Sequence, residues 1–167
     1  HLEVLMALSS SRSLDAAPQQ VFEALTSQAN AQAVADRVGG GLLEHTITDS
    51  GDARTTVTVF SLPSDRLPDV VAKMMSNGVV ITLEEGWGAA AADGSRVSTV
   101  NATVKGVPVK VSGQETLAAE GTGTVLTLAG EVTSSIPFLG GKISKAAEPM
   151  VDRLLAVRCQ AAEAQLS

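Results

Sequence analysis

The residues with the clearest chemical potential are two glutamates that fall on the apolar faces of strand-like segments. In Val79–Trp87 the alternating apolar set is Val79, Ile81, Leu83 and Trp87, and Glu85 falls among them. In Val109–Leu117 the set is Val109, Val111 and Leu117, and Glu115 falls among them. Alternate side chains of a strand point to opposite faces, so both carboxyls are directed towards whatever interior these segments enclose. A carboxyl in apolar surroundings has its pKa raised or finds a partner. Two of them could hydrogen-bond a ligand hydroxyl, or act as general acid and general base. The alternative is that each lies near a strand end, solvated at the rim, because any bulge shifts the register. Pairing of a glutamate with Arg96 on a neighbouring strand is a further structural explanation. In Thr124–Thr133, by contrast, Leu126, Leu128 and Val132 share a face that leaves Glu131 outside.

Other chemistry is scarce. The chain has one Cys, two His, no Tyr, one Trp and three Phe. One cysteine closes no internal disulfide and builds no multi-cysteine metal site. Cys159 reads as a small buried residue on a helix. His45 has neither a Gly-x-Ser-x-Gly elbow nor a ligand-type partner at useful spacing, so hydrolase and metal readings fall away. It is expected to be an exposed strand histidine. The glycines at 39–41 and 140–141 do not have the spacing of a phosphate cradle in a βαβ unit, and read as a helix stop and a tight corner. No metal and no cofactor is expected. Twelve basic against eighteen acidic residues give a net charge of −6, a poor footprint for nucleic acid. The few aromatics offer no base-stacking platform. With 167 residues and 44% hydrophobic residues, one domain with a sizeable apolar interior is expected.

The start His1-Leu2-Glu3-Val4-Leu5 reads as a tag remnant, with Met6 as the natural start and one domain over 6–167. No basic-then-apolar leader follows Met6, and no run reaches the roughly 18–20 apolar residues that span a bilayer. A cytoplasmic setting is expected, compatible with transient contact at a membrane surface. Nothing in the sequence signals an oligomeric state. The Ala, Val and Gly usage with few Lys fits a GC-rich, actinobacterial source.

The elements that must position these residues follow from period and punctuation. Ala7–Asp15 reads as a strand. Pro18–Ser27 and Asn30–Val38 read as short helices, the first opened by Pro18 and the second stopped at Gly39-Gly40-Gly41. Period two returns in Leu42–Thr48 and Thr55–Leu62, joined across Asp49-Ser50-Gly51-Asp52. Arg66–Ser76 reads as a short helix ending at Asn77-Gly78, either a lid over a cavity mouth or a fixed plug. The Ile136–Leu139 corner is a second lid candidate. Val79–Trp87, Arg96–Lys105, Val109–Leu117 and Thr124–Thr133 continue as strands, with turns that include Asp93-Gly94 and Gly121-Thr122-Gly123. Finally Ile143, Ala146, Ala147, Met150, Val151, Leu154, Leu155, Ala161 and Ala162 recur at helical spacing over more than twenty residues. Pro149 inside this run predicts a kink or, alternatively, a helix that begins near Pro149. The order predicts an α+β helix-grip fold: a curved seven-stranded antiparallel sheet around one long C-terminal helix, with two short helices after the first strand.

Three local runs carry a resemblance to a known family: Asp65-Arg66-Leu67-Pro68, Glu85-Gly86-Trp87, and Ile136-Pro137-Phe138-Leu139-Gly140-Gly141-Lys142-Ile143. With the element order, the chain from Met6 to near its end resembles an actinobacterial domain-of-unknown-function family, number 2505, in the START-like superfamily of polyketide cyclases and allergen-type carriers. The resemblance implies a fold that holds hydrophobic small molecules or lipids, and it carries over no catalytic residue. The expected binding wall is Leu83, Trp87, Val111, Leu128, Met150 and Leu154, with Glu85 or Glu115 as an orienting polar contact. Met74, Met75 and Met150 read equally as adaptable lining or as plain core. Two other functions stay open: a cyclase or dehydratase using Glu85 and Glu115 as acid and base, and a protein-interaction module.

Overall fold

The structure is a computed structural model and describes residues 3–134 and 140–167. The strands are β1 (Glu3–Leu14), β2 (Gly41–Ser50), β3 (Ala53–Leu62), β4 (Val79–Trp87), β5 (Arg96–Val104), β6 (Val107–Glu120) and β7 (Gly123–Ser134). The helices are α1 (Pro18–Thr26), α2 (Gln28–Arg37), α3 (Asp69–Ala72) and α4 (Gly140–Leu166). All seven strands join one antiparallel sheet in the order β1-β7-β6-β5-β4-β3-β2, curved around α4. The α+β helix-grip expected from the element order is therefore the fold. Chain connectivity explains the order: β2 to β7 are consecutive antiparallel neighbours, and β1 closes onto β7 after α1 and α2 have crossed to the far edge.

Local chemistry accounts for the short helices. Pro18 occupies the first turn of α1, where its missing N–H costs nothing. The Gln20 side chain reaches back to the Ala17 backbone N–H at 3.2 Å. Ser27 ends α1 and caps α2, its hydroxyl accepting from the Asn30 N–H at 3.1 Å. Both helices pack on α4 and supply Val21, Phe22, Leu25, Val34 and Ala35 to the core.

Several element boundaries differ from the sequence expectation. The pairing of β1 begins at Glu3, opposite Ser134, so the strand runs through residues 3–6. Arg66–Ser76 is not one helix: a 3-10 turn at Ser64–Arg66 and the single-turn α3 take its place. Pro68 separates them, and a proline denies the residue before it helical geometry. Gly78 then sits at φ 87°, a left-handed position beside the Leu62 and Pro63 backbone that leaves no room for a Cβ. α4 continues through Pro149 as one helix from Gly140, so the later start is excluded. The Ile136–Leu139 corner lies outside the described residues.

The sheet interior divides into two halves. One half is closed: Leu14, Phe22, Leu25, Trp87, Leu117, Leu126, Leu155, Cys159 and Ala162 form a continuous buried cluster. The Trp87 and Phe22 rings meet in a T-shaped contact with their centroids 5.7 Å apart. The other half is only partly covered. Ile81, Ala102, Val104, Val109 and Val111 face inward on neighbouring strands, and with Met150 and Leu154 of α4 they stay half-buried.

Candidate functional site

Both glutamates are interior. Glu85 is 3% exposed and Glu115 is 1% exposed, so solvation at a rim is excluded. Strand register explains the depth. Trp87, Ser98, Glu115, Leu128 and Ser10 form one inward row across β4, β5, β6, β7 and β1. Glu85, Val100, Gly113, Gly130 and Leu8 form the next. Gly113 and Gly130 lie directly opposite each other on β6 and β7, and a Cβ on either would run into the neighbouring strand's backbone.

The partner of both acids is Arg158, a residue of α4 that the sequence reading did not single out. Its Nη1 donates to Glu115 Oε2 at 2.8 Å. Its Nη2 donates to Glu85 Oε1 at 3.1 Å and Oε2 at 3.0 Å. The Thr56 hydroxyl adds a bond to Glu85 Oε1 at 3.3 Å. Arg158 is itself 8% exposed, so one cation and two carboxyls lie together in the interior. The signal was present in the sequence: Arg158 stands four residues after Leu154 and three before Ala161, inside the apolar stripe. A charge on the buried face of a helix calls for a buried counter-charge.

One cation cannot neutralise two buried carboxylates, and the environment separates their roles. Burial alone would raise the Glu85 carboxyl. The Arg158 charge opposes this, and with hydrogen bonds from Glu115, Arg158 and Thr56 holds Glu85 below its ordinary value. Burial pushes Glu115 well above the carboxylate range against the pull of Arg158, and the Glu85 charge adds to the rise. The triad therefore contains a guanidinium, a carboxylate and a neutral carboxylic acid. Glu115 Oε1 has no N–H or hydroxyl donor among the described residues.

Two cavities flank the triad. A small chamber of about 20 Å³ is lined by Glu85 and Arg158, by the polar residues Asn30, His45 and Thr58, and by apolar side chains that include Leu83 and Leu154. A larger half-open notch of about 380 Å³ lies between β1 and α4, with Leu8, Leu128, Pro149 and Val151 as apolar wall and Ser9, Ser10, Glu148 and Asp152 as polar rim. Asp152 accepts from the Ser10 hydroxyl at 2.5 Å and from Arg12 Nη2 at 3.2 Å, tying α4 to the edge strand across this notch.

The residues expected to form a binding wall are thus distributed. Leu83, Glu85 and Leu154 line the small chamber, and Leu128 lines the notch. Val111 and Met150 are half-buried on the open half. Trp87 lies in the closed core, and Glu115 lies behind Leu128 at the same register level. Two expectations about other residues are corrected. His45 is half-buried rather than exposed. Its Nε2 lies 2.8 Å from the Thr26 carbonyl, which can only accept, so Nε2 carries the proton and Nδ1 accepts from the Thr58 hydroxyl at 2.8 Å. Arg96 pairs with neither glutamate. It reaches Asp52 Oδ1 at 2.8 Å and the carbonyls of Asp52 and Gly88, and it stacks 3.9 Å above Phe22. Met74 is exposed and Met75 half-buried, beside α3. Cys159 is buried as expected, and burial pushes its thiol up to about 11. Glu131 is exposed. Among the described residues no group of acidic, His and Cys side chains could hold a metal, and no helix is long and apolar enough to cross a membrane.

Comparison with known proteins agrees with this architecture. An uncharacterized protein of Mycobacterium tuberculosis H37Rv is 28% identical over 125 residues, covering 72% of this chain and 67% of that protein. The aromatase/cyclase Zhui of a Streptomyces species superposes with a TM-score of 0.61 at 12% identity, over 99% of this chain and 93% of its own. A STAR-related lipid transfer protein fragment from Xanthomonas axonopodis superposes with a TM-score of 0.56 at 20% identity, over 95% and 84%. The lipid transfer and protein localization domain of human StarD13 gives 0.57 at 12% identity, over 93% and 76%. At these identities the likeness shows the fold alone. Residues 9–166 match the family described as "Protein of unknown function (DUF2505)", and the chain belongs to that family.

Proposed function

We propose that this protein binds a hydrophobic small molecule or lipid between α4 and the sheet, as a carrier or sensor. The observation that carries the reading is the division of the interior at the Arg158–Glu85–Glu115 triad. One side is a continuous buried cluster, whereas the other leaves Ile81, Ala102, Val104, Val111 and Met150 half-buried. An apolar wall meeting a small set of polar groups is the usual composition of a ligand pocket, and the notch at Leu128 falls within the typical range of about 300–1,000 Å³. Leu83, Glu85, Leu128, Met150 and Leu154 are the proposed contacts. Neighbours of this fold that are lipid transfer and aromatase/cyclase proteins support the ligand class. A net charge of −6 speaks against nucleic acid as the partner. The same reading sets the protein in the cytoplasm, where the lone Cys159 stays reduced. Incubating the purified protein with a lipid extract and recording its native mass tests this. Retained adducts are expected, and a protein that stays at its own mass overturns the proposal.

A second reading is favoured by one specific observation. Burial raises both carboxyls and Arg158 lowers both; the cation prevails at Glu85, whereas burial and the Glu85 charge prevail at Glu115. Two carboxyls held apart in this way are how a fold supplies an acid and a base at one pH. A cyclase or dehydratase built on this pair would lose turnover in Glu85→Gln while staying folded. Turnover unchanged in that variant would remove this reading.

A further inference from the structure

The charges of this chain are sorted along the strand direction. All five lysines, Lys73, Lys105, Lys110, Lys142 and Lys145, fall on three pieces of chain. These are the connection 64–78 that carries α3, the β5–β6 hairpin, and the first two turns of α4. The topology gathers all three at one end of the sheet. β4 starts directly after the α3 connection, and its Val80 carbonyl accepts from the Lys105 N–H at 2.9 Å. Val109 pairs with Ser134 at the end of β7, from which the chain continues to α4, and α3 contacts α4. Segments 64–78, 104–110 and 140–150 hold six basic and three acidic residues, whereas the rest of the chain holds six and fifteen. The turns at the opposite end carry exposed acids instead: Asp15, Asp49, Asp52, Asp93 and Glu120.

The lysines are free of internal work. Lys73, Lys105 and Lys145 are exposed and Lys110 is half-buried. Among the described residues none of these four lies within ion-pair distance of a carboxylate, whereas Arg12, Arg54, Arg96 and Arg158 are each held by one. Apolar groups stand between the ammonium groups: Met74, 42% exposed, follows Lys73, and exposed Pro108 lies between Lys105 and Lys110. The net charge of −6 does not oppose an anion here. Nine residues of β4 at about 3.3 Å each set the acidic turns roughly 30 Å away, about three Debye lengths at 0.1 M salt. Anionic lipid headgroups match both features. Their diffuse negative charge suits flexible ammonium groups, and their boundary with the acyl chains accepts small apolar side chains. Nucleic acid matches less well, because none of the three segments contains an aromatic residue for a base to stack on.

We infer that this end of the molecule docks on an anionic membrane surface, with the lysines supplying the charge and Met74 and Pro108 a shallow apolar contact. Docking needs no ligand in the interior, so the inference stands apart from the hydrophobic-ligand reading.

Co-sedimentation of the full chain with vesicles tests it, comparing phosphatidylcholine alone with phosphatidylcholine containing roughly 30% phosphatidylglycerol in about 0.1 M salt. Partitioning should be at least about tenfold stronger on the anionic vesicles and should largely vanish at about 0.5 M salt. The triple variant Lys73→Gln, Lys105→Gln, Lys145→Gln should keep the wild-type melting temperature and lose tenfold or more in binding, since each lysine near such a surface adds roughly fivefold. The matched variant Ser50→Glu, Ala92→Glu, Thr122→Glu makes the same change in net charge at the opposite end and should bind as the wild type does. A protein that sediments with neither vesicle overturns the inference, as does one that binds both alike. Equal losses in the two triple variants overturn it too, because net charge would then govern. Tighter retention on a DNA duplex than on anionic vesicles overturns it in favour of nucleic acid. None of these outcomes bears on the native-mass test of the interior ligand.

Discussion

Replacing Arg158 by Met tests the idea that the triad is a charge-balanced unit. Methionine keeps the length and apolar stem but removes all three N–H···O bonds to Glu85 and Glu115. Glu115 is already neutral, so the stranded charge is that of Glu85. That group escapes by taking a proton, and the cost sets the magnitude. pH 7 lies about 2.5 units above the ordinary carboxyl value of 4.5. At about 1.36 kcal/mol per unit, protonation costs roughly 3.4 kcal/mol, within the roughly 3–5 kcal/mol expected when one partner of a buried pair is removed. At pH 5 the same step costs only about 0.7 kcal/mol.

The sign follows from linkage. In the wild type Glu85 is lowered on folding, so its contribution is present above its unfolded value and is lost as pH falls through the folded value. In Arg158→Met the folded value lies above the unfolded one. Its contribution is then present below about pH 4.5 and is lost as pH rises. Urea unfolding at pH 5 and pH 7 measures the effect. The loss at pH 7 should exceed that at pH 5 by about 2.7 kcal/mol. With a slope of about 2 kcal/mol per molar, the midpoint at pH 7 should fall by nearly 2 M. Replacing all three residues by apolar ones of similar volume should recover most of the loss at pH 7. A variant equally destabilised at both pH values refutes the reasoning, as does a loss below about 1 kcal/mol at pH 7.

Glu115→Gln should leave stability at pH 7 unchanged or higher. Glu115 is raised on folding, so its contribution is full below its unfolded value and fades as pH rises through the folded value; the amide removes that decline, and midpoints recorded from pH 5 to pH 9 should show a flatter profile. Cys159, buried and with its thiol pushed up to about 11, should resist a disulfide-exchange reagent at pH 8 in the native state and react rapidly in urea. Phe22→Ala removes a ring held between Trp87, Arg54 and Arg96; a loss of about 3–5 kcal/mol is expected, and the emission of the single Trp should shift to the red. Gly113→Ala places a methyl against the Ala129 carbonyl and the Gly130 Cα, so a clearly lower melting temperature is expected, with the β6–β7 pairing as the disturbed element.

The strands, α1, α2 and most of α4 were legible because their signals are local: period two, period 3.6, and prolines and glycines at element ends. The inward direction of Glu85 and Glu115 was legible for the same reason, because each alternates with apolar neighbours on its own strand. Arg66–Ser76 was misread because Leu67, Val70, Val71, Met74 and Met75 keep helical spacing while Pro68 breaks the backbone path. His45 was misread because its partners, Thr58 and the Thr26 carbonyl, come from another strand and from the end of α1.

The choice of partner belongs to the tertiary structure alone. Arg96 and Arg158 are both available cations, and nothing local says which of them meets the glutamates. Antiparallel register places Glu85 and Glu115 on adjacent rows separated by β5, and the course of α4 over those rows brings Arg158 to both at once. Arg96, one row further along beside Leu117, is drawn to Asp52 and the ring of Phe22 instead. Sequence thus determined which carboxyls face inward, since a side chain's face depends on its own strand. Only the packed fold decided their charges, because a buried group's protonation depends on how far away its neighbours lie.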